Sequence, residues 1–198
     1  MVITNTDYKA KVVNDLVEVN AIFELNVLKA GWHRLDLNFG NIAIKQALLD
    51  NKPALIRLKN KSYELIFKNN SVKNHKLNII FMVPVNKTNE LNAVVNFNIP
   101  RSPIANLSLE IPGNKKIKVN IKPSLSTTIK VTDKATKVDA LLGNTNKINI
   151  NWQLQAERKL ELQNVLHAEN ISFLGVEENF LRLQSQINYD LIQGKIKQ

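Results

Sequence analysis

Cysteine is absent from the 198 residues, which excludes a disulfide framework and any thiolate metal site. Glycine is scarce too: with only 6, the chain has no phosphate-cradling loop and no Gly-x-Ser-x-Gly nucleophile elbow. Arginine is the third shortage, because 22 of the 27 basic residues are lysine and 5 are arginine. Lysine is a solvated point charge without the planar fork that reads guanine or clamps phosphate, so sequence-specific nucleic-acid binding is not expected. The three histidines, His33, His75 and His167, stand far apart and share no HExxH or His-x-His spacing, so no metal centre and no cofactor are expected. No window approaches the roughly eighteen apolar residues of a membrane-spanning helix. The opening residues Met1–Asp7 lack the charged flank and apolar core of a signal peptide. If the protein is exported, its signal lies upstream.

What the sequence has in abundance is alternation. From Asn14 to Phe39, Val17, Val19, Ala21, Phe23, Leu25 and Val27 fall on one parity, and Glu18, Asn20, Glu24 and Asn26 on the other. Period two marks a half-buried strand. After the break at Lys29, Ala30 and Gly31, His33, Leu35, Leu37 and Phe39 alternate with Arg34, Asp36 and Asn38, predicting a strand that folds back on the long one. Breaks rich in Asn and Pro recur every eight to twelve residues, as in a chain of hairpins. Between them the pattern predicts strands over Tyr8–Val13, Leu16–Leu28, Ile42–Leu49, Ala54–Leu58, Tyr63–Phe67, His75–Val85, Leu91–Ile99, Ile104–Ile111, Lys116–Lys122, Thr127–Val131, Lys137–Leu142 and Asn146–Leu154. The fold class is all-β: an antiparallel β-sandwich of about thirteen short strands over residues 1–154. A linker is expected over 155–170 and a C-terminal strand pair over 171–198, placed as the possible start of a second module.

That last expectation comes from an incomplete repeat. Shifted by 164 residues, Leu181, Leu183, Ser185, Ile187, Tyr189 and Leu191 fall in phase on Val17, Val19, Ala21, Phe23, Leu25 and Val27, and the turn at Glu177, Glu178 and Asn179 falls on Val13, Asn14 and Asp15. The order of these segments, with Tyr8 to Val12, Gly31-Trp32, the turn before Ala54 and His75 leading to Val83-Pro84-Val85, resembles tandem all-β, sandwich-like modules of large bacterial cell-envelope proteins. The resemblance implies modules in which one strand pair begins the next unit. It implies no catalytic residue.

The residues themselves argue against catalysis. Glu18, Glu24, Asp36, Glu64 and Glu110 sit mostly on outward parity, without the paired acids that glycoside hydrolysis needs. The expected function is a non-enzymatic structural or adhesive module of a larger, extracytoplasmic bacterial protein, whose partners are further copies or neighbouring β-modules of the same protein. The expected self-association strand comprises Phe180, Leu181, Leu183, Ile187, Tyr189 and Leu191. The alternative is a binding module whose lysine-rich face holds an acidic glycan or nucleic acid. A formal charge of +10 favours anionic partners, and the candidate anion-binding face is Lys116, Lys118, Lys122, Lys130 and Lys147. A solvated outer face, whose lysines keep edge strands from pairing, would look the same in sequence. Trp32 and Trp152 could each platform a sugar ring or a base, although Trp152 has core parity.

Overall fold

The computed structural model describes residues 1–40, 42–60, 62–88, 92–113, 117–154 and 165–193. The chain divides into two compact units, Met1–Ala156 and Glu157–Gln198. Among the described residues every regular element is a strand. In chain order they are β1 Val2–Val13, β2 Leu16–Val27, β3 Gly31–Asp36, β4 Ala43–Leu49, β5 Lys52–Pro53, β6 Leu55–Lys59, β7 Ser62–Asn69, β8 Lys73–Pro84 and β9 Asn86–Lys87. The series continues with β10 Asn92–Asn98, β11 Ala105–Pro112, β12 Ile117–Lys122, β13 Ser126–Val131, β14 Ala135–Leu142, β15 Lys147–Leu154, β16 Val165–Glu177 and β17 Phe180–Gln193.

The first unit grows from the β1–β2 hairpin. Asn14 adopts a left-handed conformation, φ 55°, which Asn tolerates because its short polar side chain can bond locally, and the two-residue turn sets Val13 opposite Leu16. The hairpin sits inside an eight-stranded sheet of order β13-β14-β11-β1-β2-β8-β4-β5. A four-stranded sheet, β12-β15-β10-β9, and a three-stranded one, β3-β7-β6, supply the facing layer. The described pairings are antiparallel except β1 with β11, which run parallel from Thr6 opposite Ala105 to Lys11 opposite Glu110. The result is the all-β, sandwich-like architecture that the alternation predicts.

Burial follows parity. Val17, Val19, Ala21, Phe23, Leu25 and Val27 are wholly inaccessible, as are Leu77, Ile79 and Phe81 of β8 beside them. Each large apolar side chain so placed stabilises the fold by roughly 1.5–3 kcal/mol. Aromatic rings line the core: Tyr8 meets Phe23 edge-on at 5.9 Å within the eight-stranded sheet, Phe39 packs on Phe81 at 4.9 Å, and Phe81 reaches across to Phe97 of the four-stranded sheet at 5.8 Å.

Three expectations are corrected. The segment after Gly31 does not fold back on β2, because both edges of β2 are taken, by β1 and β8. Gly31, at φ 122°, starts β3, which pairs with β7 instead. The first strand begins at Val2, not Tyr8, its polar start accepted because Thr6 lies fully buried on the inward parity and a bulge between Ile3 and Asn5 resets the register. Finally, residues 165–170, expected as linker, already belong to β16, where His167 stands opposite Asp190 and Ala168 opposite Tyr189. The rest of that linker, 155–164, lies outside the described residues.

Candidate interaction surfaces

Among the described residues the second unit is one long hairpin. β16 and β17 pair from Glu177 opposite Phe180 down to Leu166 opposite Leu191, and successive side chains alternate between its two faces. Ala168, Leu174, Val176, Leu181, Leu183, Ile187 and Tyr189 share one face, interrupted by Asn170 and by Ser172 and Ser185, whose hydroxyls bond each other at 2.7 Å. The other face carries Glu169, Gln184, Gln186, Asn188 and Arg182, along with Ile171, Phe173 and Phe180. On the apolar face Leu174, Val176, Leu181, Leu183, Ile187 and Tyr189 are all between 51% and 74% exposed. Of the expected self-association strand, then, Leu181, Leu183, Ile187 and Tyr189 stand together and Phe180 points to the opposite face. The side chain of Leu191 lies outside the described set.

The lysine face is only partly assembled. Lys118 and Lys122 project outward from β12 while Ile117, Val119 and Ile121 are buried, and Lys147 projects from β15 in the same sheet. Lys130 does not join them, because it sits on β13, at the edge of the eight-stranded sheet, opposite Lys137. Lys116 lies outside the described residues. What surrounds the three lysines is amide. The ladder sets Lys118 beside Gln153 and Asn92, Asn120 beside Asn151, Lys122 beside Asn149 and Asn96, and Lys147 beside Asn98. No described residue of β10, β12 or β15 is acidic. At one end Asn120, Lys122, Ser124, Thr145, Lys147 and Asn149 line an open depression of about 640 Å³. Sequence alternation finds the lysines; only the strand order brings the amides of β10 alongside.

The titratable groups form local structural contacts. His33 and His75 flank one ring, Phe67, at 5.5 and 5.1 Å, so the two imidazoles share an end of the sandwich without meeting. The Asp50 carboxylate holds Nδ1 of the buried His75 at 2.7 Å, a pairing that lies 25 residues apart and that no sequence spacing signals. Partial burial pushes the Asp50 carboxyl upward, but the Lys76 backbone N–H, the His75 ring and the Lys73 charge outweigh it and hold it below the ordinary value. Asp7 and Asp139 line one depression of about 440 Å³ on the eight-stranded sheet, yet Asp7 accepts from Asn106 at 2.9 Å and Asp139 from Ser108 at 2.7 Å. Trp32 is 70% exposed on β3, and Trp152 is buried. Among the described residues no three His, Asp or Glu side chains gather to hold a metal, and no helix is long and apolar enough to cross a membrane.

No protein-family model matches the sequence, and no curated protein matches it. Solved structures do share the fold. An M1 zinc metallopeptidase from Deinococcus radiodurans superimposes with a TM-score of 0.51 at 7% identity, over 93% of this chain and 46% of that one. A two-domain M1 zinc metallopeptidase variant bound to tryptophan gives 0.52 at 8%, over 93% and 47%. Aminopeptidase A of Legionella pneumophila, in complex with aspartic acid, gives 0.50 at 13%, over 94% of this chain and 24% of that one. At such identities the likeness concerns the fold alone. This chain spans about half the length of the first two.

Proposed function

We propose that the chain is a non-enzymatic structural or adhesive β-module of a larger, extracytoplasmic bacterial protein, of the tandem kind found in cell-envelope proteins, and that it acts through contacts between modules and strand edges. The apolar face of β16–β17 carries this reading. A two-stranded hairpin is marginal on its own in water, and Leu174, Leu181, Leu183 and Ile187 would each stabilise a covering contact by roughly 1.5–3 kcal/mol when fully buried. The similar folds that occupy about half or less of longer chains support a building-block role. The test is truncation. A chain ending at Leu154 should melt as the 198-residue chain does and lose concentration-dependent association in sedimentation; unfolding on truncation would overturn the module reading.

A second reading rests on the face built by β12, β15 and β10. Lys118, Lys122 and Lys147 standing among amides, with no described carboxylate on those strands, favour an acidic glycan, whose carboxylates would meet ammonium groups and whose hydroxyls would meet Asn and Gln side chains.

A further inference from the structure

We propose that β16–β17 is the first hairpin of a second β-unit built like Met1–Ala156, with β16 in the place of β1 and β17 in the place of β2. The inference rests on the module reading above and names the partner that covers the hairpin.

Both hairpins close with two residues, Asn14-Asp15 and Glu178-Asn179, between strands of twelve to fourteen residues. A two-residue turn fixes the register by itself, so the matching pairs Val12 with Val17 and Val176 with Leu181 add little alone. The face is not fixed by the turn. In the first hairpin the parity holding Ala10, Val12, Val17, Val19 and Phe23 is the one buried in the core. In the second, the same parity holds Leu174, Val176, Leu181, Leu183 and Ile187, each displaced by 164 positions. The outward parity matches at only two positions, Leu16 with Phe180, the large apolar residues that open β2 and β17, and Asn20 with Gln184; Glu18 is answered by Arg182, and Asp7 and Lys9 by the apolar Ile171 and Phe173. The fate of the inward face differs as well, since the first set is at most 9% exposed and the second at least 51%.

The first unit shows what covers such a hairpin. β8 runs antiparallel along β2 from Leu16 to Val27, β11 runs parallel along β1 from Thr6 to Lys11, and the facing layer fills the apolar side. The second unit therefore requires an antiparallel strand along the free edge of β17 over residues 180–191. It also requires a parallel strand along β16 confined to residues 170–175, and an apolar layer on the Leu183 face. At the centre the pair Tyr8–Ala21 is answered by Ser172–Ser185, two small residues. The covering layer must supply the bulk there that Tyr8 supplies in the first unit.

Residue-resolved hydrogen exchange on the whole natural polypeptide tests this, with β1–β2 as internal reference. The expected result is protection of the edge-facing amides of β17 along its length and of β16 over 170–175. It should reach roughly 10³-fold or more, the low end of folding equilibrium constants for small domains, and be independent of protein concentration. Leu183→Asp with Ile187→Asp should abolish it, whereas Gln184→Asp, on the outward face, and the β1–β2 amides should be unaffected. Protection that appears only as concentration rises means that a second copy covers the hairpin; this overturns the proposal and leaves the module reading standing. Protection of the cross-hairpin amides alone, with both edges open, means cover by a different kind of domain and also overturns it. No protection at any concentration sinks both.

Discussion

The Asp50 carboxylate accepts a 2.7 Å hydrogen bond from Nδ1 of His75 through one oxygen and a 2.9 Å bond from the backbone N–H of Lys76 through the other. This residue closes the turn between β4 and β5 at φ 51° and clips it to the neighbouring strand β8. Its carboxyl is held below the ordinary value despite partial burial, so the ionised form stabilises the fold. The contribution of a depressed carboxylate is complete above its unfolded pKa, about 3.9, and is lost as pH falls through the lower folded value.

Asp50→Asn isolates that contribution, because Asn keeps the left-handed turn and an oxygen for Lys76. At pH 7 the variant should be less stable by about 1 kcal/mol, a value discounted for the exposure of the carboxylate. Urea titrations should show the gap closing below about pH 4, as the wild-type Asp50 protonates. A gap that stays constant down to pH 2 would assign the effect to shape instead of charge.

Glu64 is the buried acid of the three-stranded sheet, at 8% exposure, and Arg57 grips one of its oxygens through Nε at 2.7 Å and Nη2 at 2.6 Å. Arg57→Ala leaves that carboxylate, among the described residues, with Lys59 at 3.8 Å as its basic partner. Because Arg57 itself is half exposed, the loss should be about 1–2 kcal/mol, below that of a fully buried pair. The double variant with Glu64→Gln should recover part of it, read by the urea midpoint. No recovery would show that the alkyl stem of Arg57 matters more than its charge.

The two hairpins make opposite predictions for equivalent substitutions. Phe23, packed on Tyr8 and Phe39, is inaccessible, so Phe23→Ala should cost about 3–5 kcal/mol. Ile187, its counterpart 164 positions on, is 51% exposed. In the 198-residue chain Ile187→Ala should change the main melting transition by less than about 0.5 kcal/mol. A large shift from Ile187→Ala in calorimetry would mean that the hairpin belongs to the cooperative core of the first unit.

Much of this fold was legible because its signal is local. Alternation over Leu16 to Val27, His75 to Val83 and Ile117 to Ile121 marks both the strands and their buried faces, and burial follows it. Pairing was not legible. Nothing in the residues after Gly31 says that β3 joins β7 and not β2, and the parallel contact of Thr6 with Ala105 spans nearly a hundred residues. The lysine face failed in the same way: Lys130 shares its outward parity with Lys118 and Lys122, but parity does not tell which sheet a strand enters. The Asp50–His75 contact depends on β4 and β8 being neighbours, which only the assembled sheet supplies.

Lys118 and Lys122 lie four residues apart on one strand, about 13 Å at the usual rise, and Lys147 closes the same face from β15 next to the depression that it shares with Lys122. An extended polyanion laid on the four-stranded sheet would meet all three at once, and its hydroxyls would meet Asn120, Asn149 and Asn151. Lys118→Gln, Lys122→Gln and Lys147→Gln together should move elution from a heparin column to lower salt and flatten the dependence of binding on salt, since each neutralised contact removes counterion release. Lys130→Gln removes one charge from a different sheet and should shift elution much less. Equal shifts per charge at Lys130 and on the face would mean that the column reads net charge alone, and the glycan-binding reading would fall.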